Sequence, residues 1–533
     1  MNPTHKVGFR SAYALYKIVD AGANEPRWYE GVVNYPLQQG VGFRYRNIIS
    51  CVRYLLQQKA YAQDMVWGPV KEYDKQGDRV YGEMHTATWW EDNQVGFLMI
   101  CVRYPTDYIF QALIPDNGTL IPILLASDET HLTNFSGDKK LWPVYMSIGN
   151  IRSTIRNTPT MHAWIPIALL PIVPKRVNKI PGYSVATQEI QALQTVHDVL
   201  ARLLRPLSDD KCRTGYEMVC ADQKVRLCFP KLFCWLADHM ENATIHGIAS
   251  NRCPACICLV DKLGEYSQGG YPVRLHKDYA IAVRDSDTVR LNEDGVKKIK
   301  NALWTIPHLS PPDLIRADIL HNILLGVLDH VMDWIQGFLE HHQRITAFDY
   351  VWRRLSAYPG FSVPQKGYRS ISQWSRKEMR NFGKIILGTF TAALRRTSDQ
   401  PRPTGGQIQE FNKAIRCVRS ITDFYLMTQY RSHTDKTVSY MQDYLRVFHE
   451  TKEVFLRFRA QKAGKKAAAD AHKALVKEQA SQVNLFLYFY IFSYCYFFFF
   501  RSLSSVNMQI PGQGQGQGTY GIGKGQAASG EHA

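Results

Sequence analysis

Acid is in short supply in this sequence relative to base. Asp and Glu number 47 in 533 residues against 64 Lys and Arg, a formal charge of +17, with a pI near 9.3. That deficit excludes an acidic, self-solvating chain. It predicts affinity for polyanions, because neutralising phosphates releases condensed counterions. The first residues, MNPTHKVGFRSAYALYK, contain no apolar segment of the kind a secretory signal needs. Cysteine is sparse and odd in number, eleven in all, so no disulfide framework is expected and a reducing compartment is. Long aliphatic runs are missing too. The one apolar tract, LFLYFYIFSYCYFFFF at 485–500, has 16 residues, short of the roughly 20 that span a bilayer as a helix. Eleven of them are Phe or Tyr, whereas lipid-facing helices keep aromatics for the interfaces. No membrane partner is therefore expected. Phe, Tyr, Leu, Ile, Ser and Cys all have U-rich codons, so the tract reads as a translated pyrimidine run. Residues 483–533, with the Gly-Gln repeat and the tail from Pro511 to Ala533, are then expected to be a disordered or mis-spliced end.

What is present suits a folded chain of two or more domains: 45% hydrophobic and 21% charged residues. Residues 1–95 read as a helical and extended N-terminal region, with a helical spacing in NIISCVRYLLQQKAYAQDM (47–65). From 97 to 173 the period changes. VGFLMICVRY, LIPILLAS, PVYMSIGN and AWIPIALLPIV are short apolar runs bounded by polar clusters, which predicts buried strands. VATQEIQALQTVHDVLARLLRPL (185–207) has 3.6-residue periodicity, YEMVCADQKVRLCFP reads as a hairpin, and KLFCWLAD as one more buried element. The fold class is α/β, with a covered mixed sheet filling 96–249. Residues 250–370 read as a mainly helical insertion with a cysteine cluster, and 371–432 as helices that complete the core. A long charged helix at 433–482 carries seven Lys/Arg against one acid, Asp470, between Phe455 and Lys477. That run fits either a solvated face or a DNA-backbone contact.

Two carboxylates sit where apolar runs end: Asp128 after LIPILLAS and Asp238 after FCWLA. The carboxyl ends of strands are where α/β sheets build sites. A pair of such acids with a third on a helix suits hard Mg²⁺ (or Mn²⁺) and in-line phosphoryl transfer. An Asp at a strand end also serves as an ordinary turn or helix cap. Cys253 and Cys256 of NRCPACIC have the Cys-x-x-Cys spacing at which two thiolates share a tetrahedral Zn²⁺. Cys258 offers an alternative spacing, and His321 and His308 are the histidines that could complete the set. Trp89, Trp90, Trp142 and Trp235 lie in apolar surroundings and are expected in the core.

Six collinear stretches between about residues 40 and 480 resemble the transposases of Plavaka-type fungal DNA transposons, in the CACTA superfamily. They are NIISCVRYLLQQKAYAQDMVWGPVKEYDKQGDRVYGEMHTATWWEDNQ, LIPILLASDETHLTNFSGDKKLWPVYMSIGNI, GYEMVCADQKVRLCFPKLFCWLADHMENATIHGIASNRCPAC, DILHNILLGVLDHVMDW, ISQWSRKEM and SHTDKTVSYMQDYLRVFHETKEVFLRFR. The resemblance implies an RNase H-like core of the DDE kind, interrupted by a zinc-containing insertion and followed by the basic C-terminal helix. It implies Asp128 as the first acid and Asp238 as the second, although His239 and Met240 stand where the family has Tyr-Pro. Glu378 is implied as the third acid, with Asp318 of ADILH as the alternative. It further implies Mg-dependent cleavage of transposon ends and strand transfer into double-stranded target DNA, a homo-oligomer on paired ends, and a nuclear location. The family's His- and Glu-bearing region after the charged helix is missing, so a truncated copy is expected. The competing expectation is a catalytically inactive, transposon-derived DNA-binding protein.

Overall fold

The computed structural model describes residues 25–35, 38–96, 114–115, 117–131, 140–173, 182–263, 265–267, 270–316, 319–356, 367–370, 376–395 and 402–456. In chain order its strands are β1 (Trp28–Tyr35), β2 (Gln38–Arg46), β3 (Glu72–Tyr73), β4 (Arg79–Tyr81), β5 (Gly118–Ser127), β6 (Thr130–His131), β7 (Lys140–Ile148), β8 (Ile165–Leu170), β9 (Tyr216–Val219), β10 (Val225–Leu236) and β11 (His433–Thr434). The helices used below are α1 (Ile48–Leu56), α2 (Val185–Leu204), α3 (His239–His246), α4 (His276–Arg284), α5 (Asp329–His341), α6 (Ile345–Arg353), α7 (Arg376–Leu394), α8 (Gly405–Met427) and α9 (Asp435–Thr451).

The main sheet has the order β1-β2-β8-β7-β5-β10-β9, with β6 paired to β7. β5, β7 and β8 form an antiparallel meander. α2 follows, and β10 then returns beside β5 in parallel. Every residue of β5 but Ala126 is buried. Such continuous apolarity is what a central strand needs when both faces are covered. The period of two divides its side chains cleanly. Ile121, Ile123 and Leu125 join the large core that α1 and α2 cover, while Leu120 and Leu124 meet Trp90, Phe233 and Cys234 on the other face.

α2 follows its sequence pattern. Ser184 caps it by accepting the Thr187 N–H, and Ala192, Val196, Val199, Leu200 and Leu203 are buried in the core at three- and four-residue intervals. α1 is capped in the same way by Asn47, whose Oδ1 accepts the Ser50 N–H at 3.0 Å. Within the N-terminal region, expected to mix helical and extended segments, residues 28–46 form the β1–β2 hairpin and extend the sheet beyond β8. Burial alternates along β1 as strand geometry requires, with Val33 and Tyr35 inward and Val32 outward. The expected strand VGFLMICVRY and the aromatic tract 485–500 lie outside the described residues. Among those described, no helix is long and apolar enough to cross a membrane.

A second core, built by helices, runs from Ile323 to Phe455. A segment of π-helix at Ile319–Leu328 leads into α5, and α6 to α9 close around it. Aromatic rings fill its centre: Trp334 stacks on Phe448 at 6.2 Å, and Phe338 meets Phe455 edge-on at 5.3 Å. Residues on both sides of the 370/371 and 432/433 boundaries contribute to it. The charged stretch beyond Leu456 is outside the described residues.

Candidate functional site

The parallel register between β5 and β10 sets Leu236 opposite Ala126. Two residues further along each chain come Asp128 and Asp238, so both acids leave the carboxyl edge of the sheet from adjacent strands. Asp128 is exposed and Asp238 half-buried. Asp238 is also the N-cap of α3: its Oδ1 accepts the Glu241 N–H at 2.7 Å. α3 ends at Gly247, whose φ of +67° and closeness to Ile299 leave no room for a Cβ.

Sequence reasoning assigned no role to Glu241, the third residue of α3. Its carboxylate is only 8% exposed. Two donors converge on its Oε1: the Trp142 indole N–H at 2.6 Å and the Ser127 hydroxyl. Ser127 in turn accepts the Trp235 indole N–H at 2.7 Å. A buried carboxylate needs such partners, since leaving water costs more than a neutral hydrogen bond returns. Burial still dominates and raises its pKa to about 7, against the lowering effect of the Ser127 and Trp142 bonds. The charges of Asp238 and Asp128 push it the same way as burial, so all three acids share one electrostatic neighbourhood. The signal that could have found Glu241 is its place three residues after a capping Asp. Trp142 and Trp235 are core residues as expected, and they also donate to this cluster.

Glu378 is half-buried in the first turn of α7, the helix that packs against the 319–328 segment, α6 and α8 in the helical core. The strand pairing that brings Asp128 and Asp238 together does not involve α7. Asp318 lies outside the described residues.

The cysteine loop is sealed. Cys253, Cys256 and Cys258 are all buried, and with Leu263 and Ile315 they form a small core of their own. Arg274 braces the loop through its Nε–H to the Cys253 carbonyl at 2.6 Å, and Cys256 bridges to Val273. Burial opposes ionisation of Cys253. Hydrogen bonds from the Cys256 thiol and from the Ala255 and Cys256 backbone N–H groups, with the Arg274 charge, overcome it and hold the thiol below its usual pKa. His308 stands near Lys231, Arg213 and Lys277, and burial followed by those charges depresses its imidazole. His321 is half-buried on the 319–328 segment. Among the described residues, no group of three or more His, Cys, Asp or Glu is arranged to hold a metal ion.

No curated protein matches the chain. A family model described as Plavaka transposase matches residues 9–335, which is more than half the chain and includes β1 to β10, Asp128, Asp238, Glu241 and the cysteine loop. The chain belongs to the Plavaka transposase family.

Proposed function

We propose that this chain is a DDE-type transposase that uses divalent metal ions to cut transposon ends and join them to target DNA. The observation that carries this reading is the parallel β5–β10 register, with Asp128 and Asp238 leaving the same sheet edge. A meander, a helix and a parallel return strand beside the first strand are also what an RNase H-like core requires, and this supports that finer fold reading.

The donor set suits Mg²⁺ or Mn²⁺. Both groups offer hard carboxylate oxygens, Asp128 is open to solvent, and the helix cap engages only Oδ1 of Asp238. Asp128 and Asp238 would hold the metal, with Glu378 as third acid on the strength of the family resemblance and Asp318 as its alternative. When bound, such ions polarise the phosphate and lower the pKa of water. The protein's own part is positional. β5 and β10 fix the spacing of the two acids, the cap orients the Asp238 carboxylate, and buried Trp142 and Trp235 keep the base of the site rigid. Hydrolysis of a phosphodiester at the element end would precede attack of the freed 3′-hydroxyl on target DNA. The +17 charge supplies phosphate contacts for both DNA partners. Cys253 and Cys256 would hold a structural Zn²⁺, and the donors that lower the Cys253 thiol favour the thiolate that a metal ligand must supply.

Nicking of supercoiled DNA in Mg²⁺ is the test, comparing the chain with Asp128→Asn and Asp238→Asn. Activity confined to the unaltered chain is expected. Equal activity in all three would remove the nuclease reading.

A further inference from the structure

The site contains a group that touches both halves of the proposed metal-binding pair without being one of the expected acids. Glu241 reaches the Asp238 side through its main chain, whose N–H donates to Oδ1 at 2.7 Å. It reaches the Asp128 side through its carboxylate, which accepts the hydroxyl of Ser127, the residue immediately before Asp128. Trp142 on β7 donates to the same Oε1 at 2.6 Å, and Trp235 on β10 holds the Ser127 hydroxyl from behind. One side chain thus joins β5, β7, β10 and the start of α3 at the point where both aspartates emerge.

We infer that Glu241 is a positioning residue: it clamps the Ser127–Asp128 strand end to the Asp238 helix cap and sets the gap into which a divalent cation fits. This rests on the proposed function, since it presumes that Asp128 and Asp238 bind metal. Three observations support positioning over direct ligation. The carboxylate is buried while Asp128 is exposed. Its Oε1 already accepts two hydrogen bonds. Both donors on that oxygen, Ser127 and Trp142, are themselves buried, so it is turned towards the interior of the protein and away from the open edge. A Ser that accepts from Trp235 while donating to Glu241 also has its single proton committed. The Ser127 side chain therefore has one rotamer that satisfies both bonds, and the backbone of Asp128 inherits that restriction.

The clamp needs an acceptor at Oε1, and a Gln amide oxygen supplies one. Mn²⁺ binding to the whole chain, followed by water-proton relaxation, separates the possibilities without any turnover. Glu241→Ala is expected to weaken Mn²⁺ binding at least about tenfold, and Ser127→Ala about threefold, as loss of outer-shell support does elsewhere. Glu241→Gln is expected to bind Mn²⁺ as tightly as the unaltered chain. Circular dichroism of each variant reports folding; should Glu241→Ala fail to fold, Ser127→Ala against Glu241→Gln carries the test. Unchanged affinity in folded Glu241→Ala, or in Ser127→Ala where that variant carries the test, would overturn the clamp. A Glu241→Gln loss as large as that of the variant carrying the test would also overturn it, making Glu241 a direct ligand. Failure of the unaltered chain to bind Mn²⁺ would instead strike the metal-site reading beneath it, and Asp128→Asn serves as that separate control.

Discussion

The carboxylate edge and the cysteine loop both gather groups able to carry negative charge, and they handle it in opposite ways. At the sheet edge, Asp128 faces solvent and the buried member, Glu241, is pushed towards its neutral form by burial and by its acidic neighbours. In the loop every sulfur is sealed, yet backbone N–H groups and Arg274 favour the charged form of Cys253. Burial alone therefore does not decide protonation; the donors and the sign of the charges around the atom do. An open edge with charge in excess suits a site that takes up cations and substrate. A closed loop with charge already compensated suits a site that holds structure.

The sharpest way to break this comparison is to neutralise each place separately. Asp128→Asn and Asp238→Asn should each lower Mg²⁺-dependent nicking by at least about a hundredfold, roughly 2.7 kcal/mol of barrier, with thermal unfolding almost unmoved because Asp128 is exposed and Asn caps a helix as well as the Asp at 238 does. A matching fall in unfolding temperature would mean that the acids are structural.

Of similar size is a pH effect on the metal-free protein in chelator. Glu241 has a folded pKa near 7 against an ordinary 4.5. Its contribution to stability is complete below the ordinary value, where both states are protonated. It drains away as pH rises, because the unfolded chain ionises first, and it is gone above about 7. The loss is on the order of 3 kcal/mol across that window. Denaturant titrations from pH 4.5 to 7.5 should show this slope in the unaltered chain and a shallower one in Glu241→Gln. Parallel curves would disprove the assignment.

Cys253→Ala or Cys256→Ala should act on stability rather than chemistry, costing about 1–3 kcal/mol in denaturant unfolding for the lost packing and hydrogen bonds. Nicking per folded molecule should persist. Smallest is Trp235→Phe, which removes one donor to Ser127 and should cost about 1 kcal/mol. If it costs as much as a cavity mutation, the indole matters for its volume and not for its N–H.

How much of this could be read in advance varies by element. The runs that became β5, β7, β8 and α2 were legible because burial on one or both faces imposes a period on the side chains. Asp128 and Asp238 stood out as acids closing apolar runs. The β1–β2 hairpin was missed although its inward Val33, Tyr35, Val41 and Phe43 alternate with polar positions, because Gly and Asn interruptions weaken the pattern. Glu241, though three residues after a capping Asp, was passed over for another reason. A Glu in the first turn of a helix is ordinarily a solvated partner of the helix dipole. Only the parallel pairing of segments about a hundred residues apart reveals that this one is enclosed by Ser127 and Trp142, and no local pattern encodes such a register.

The helix cap at Asp238 has a consequence for how copies of this gene decay. One G-to-A transition in that codon yields Asn, which keeps the bond to the Glu241 amide while discarding the charge. If Asp238 has the metal-binding role proposed above, a lineage can lose its chemistry by a single common mutation and still express a well-folded, basic polypeptide. For relatives of this chain, an intact fold is poor testimony that the element can still move.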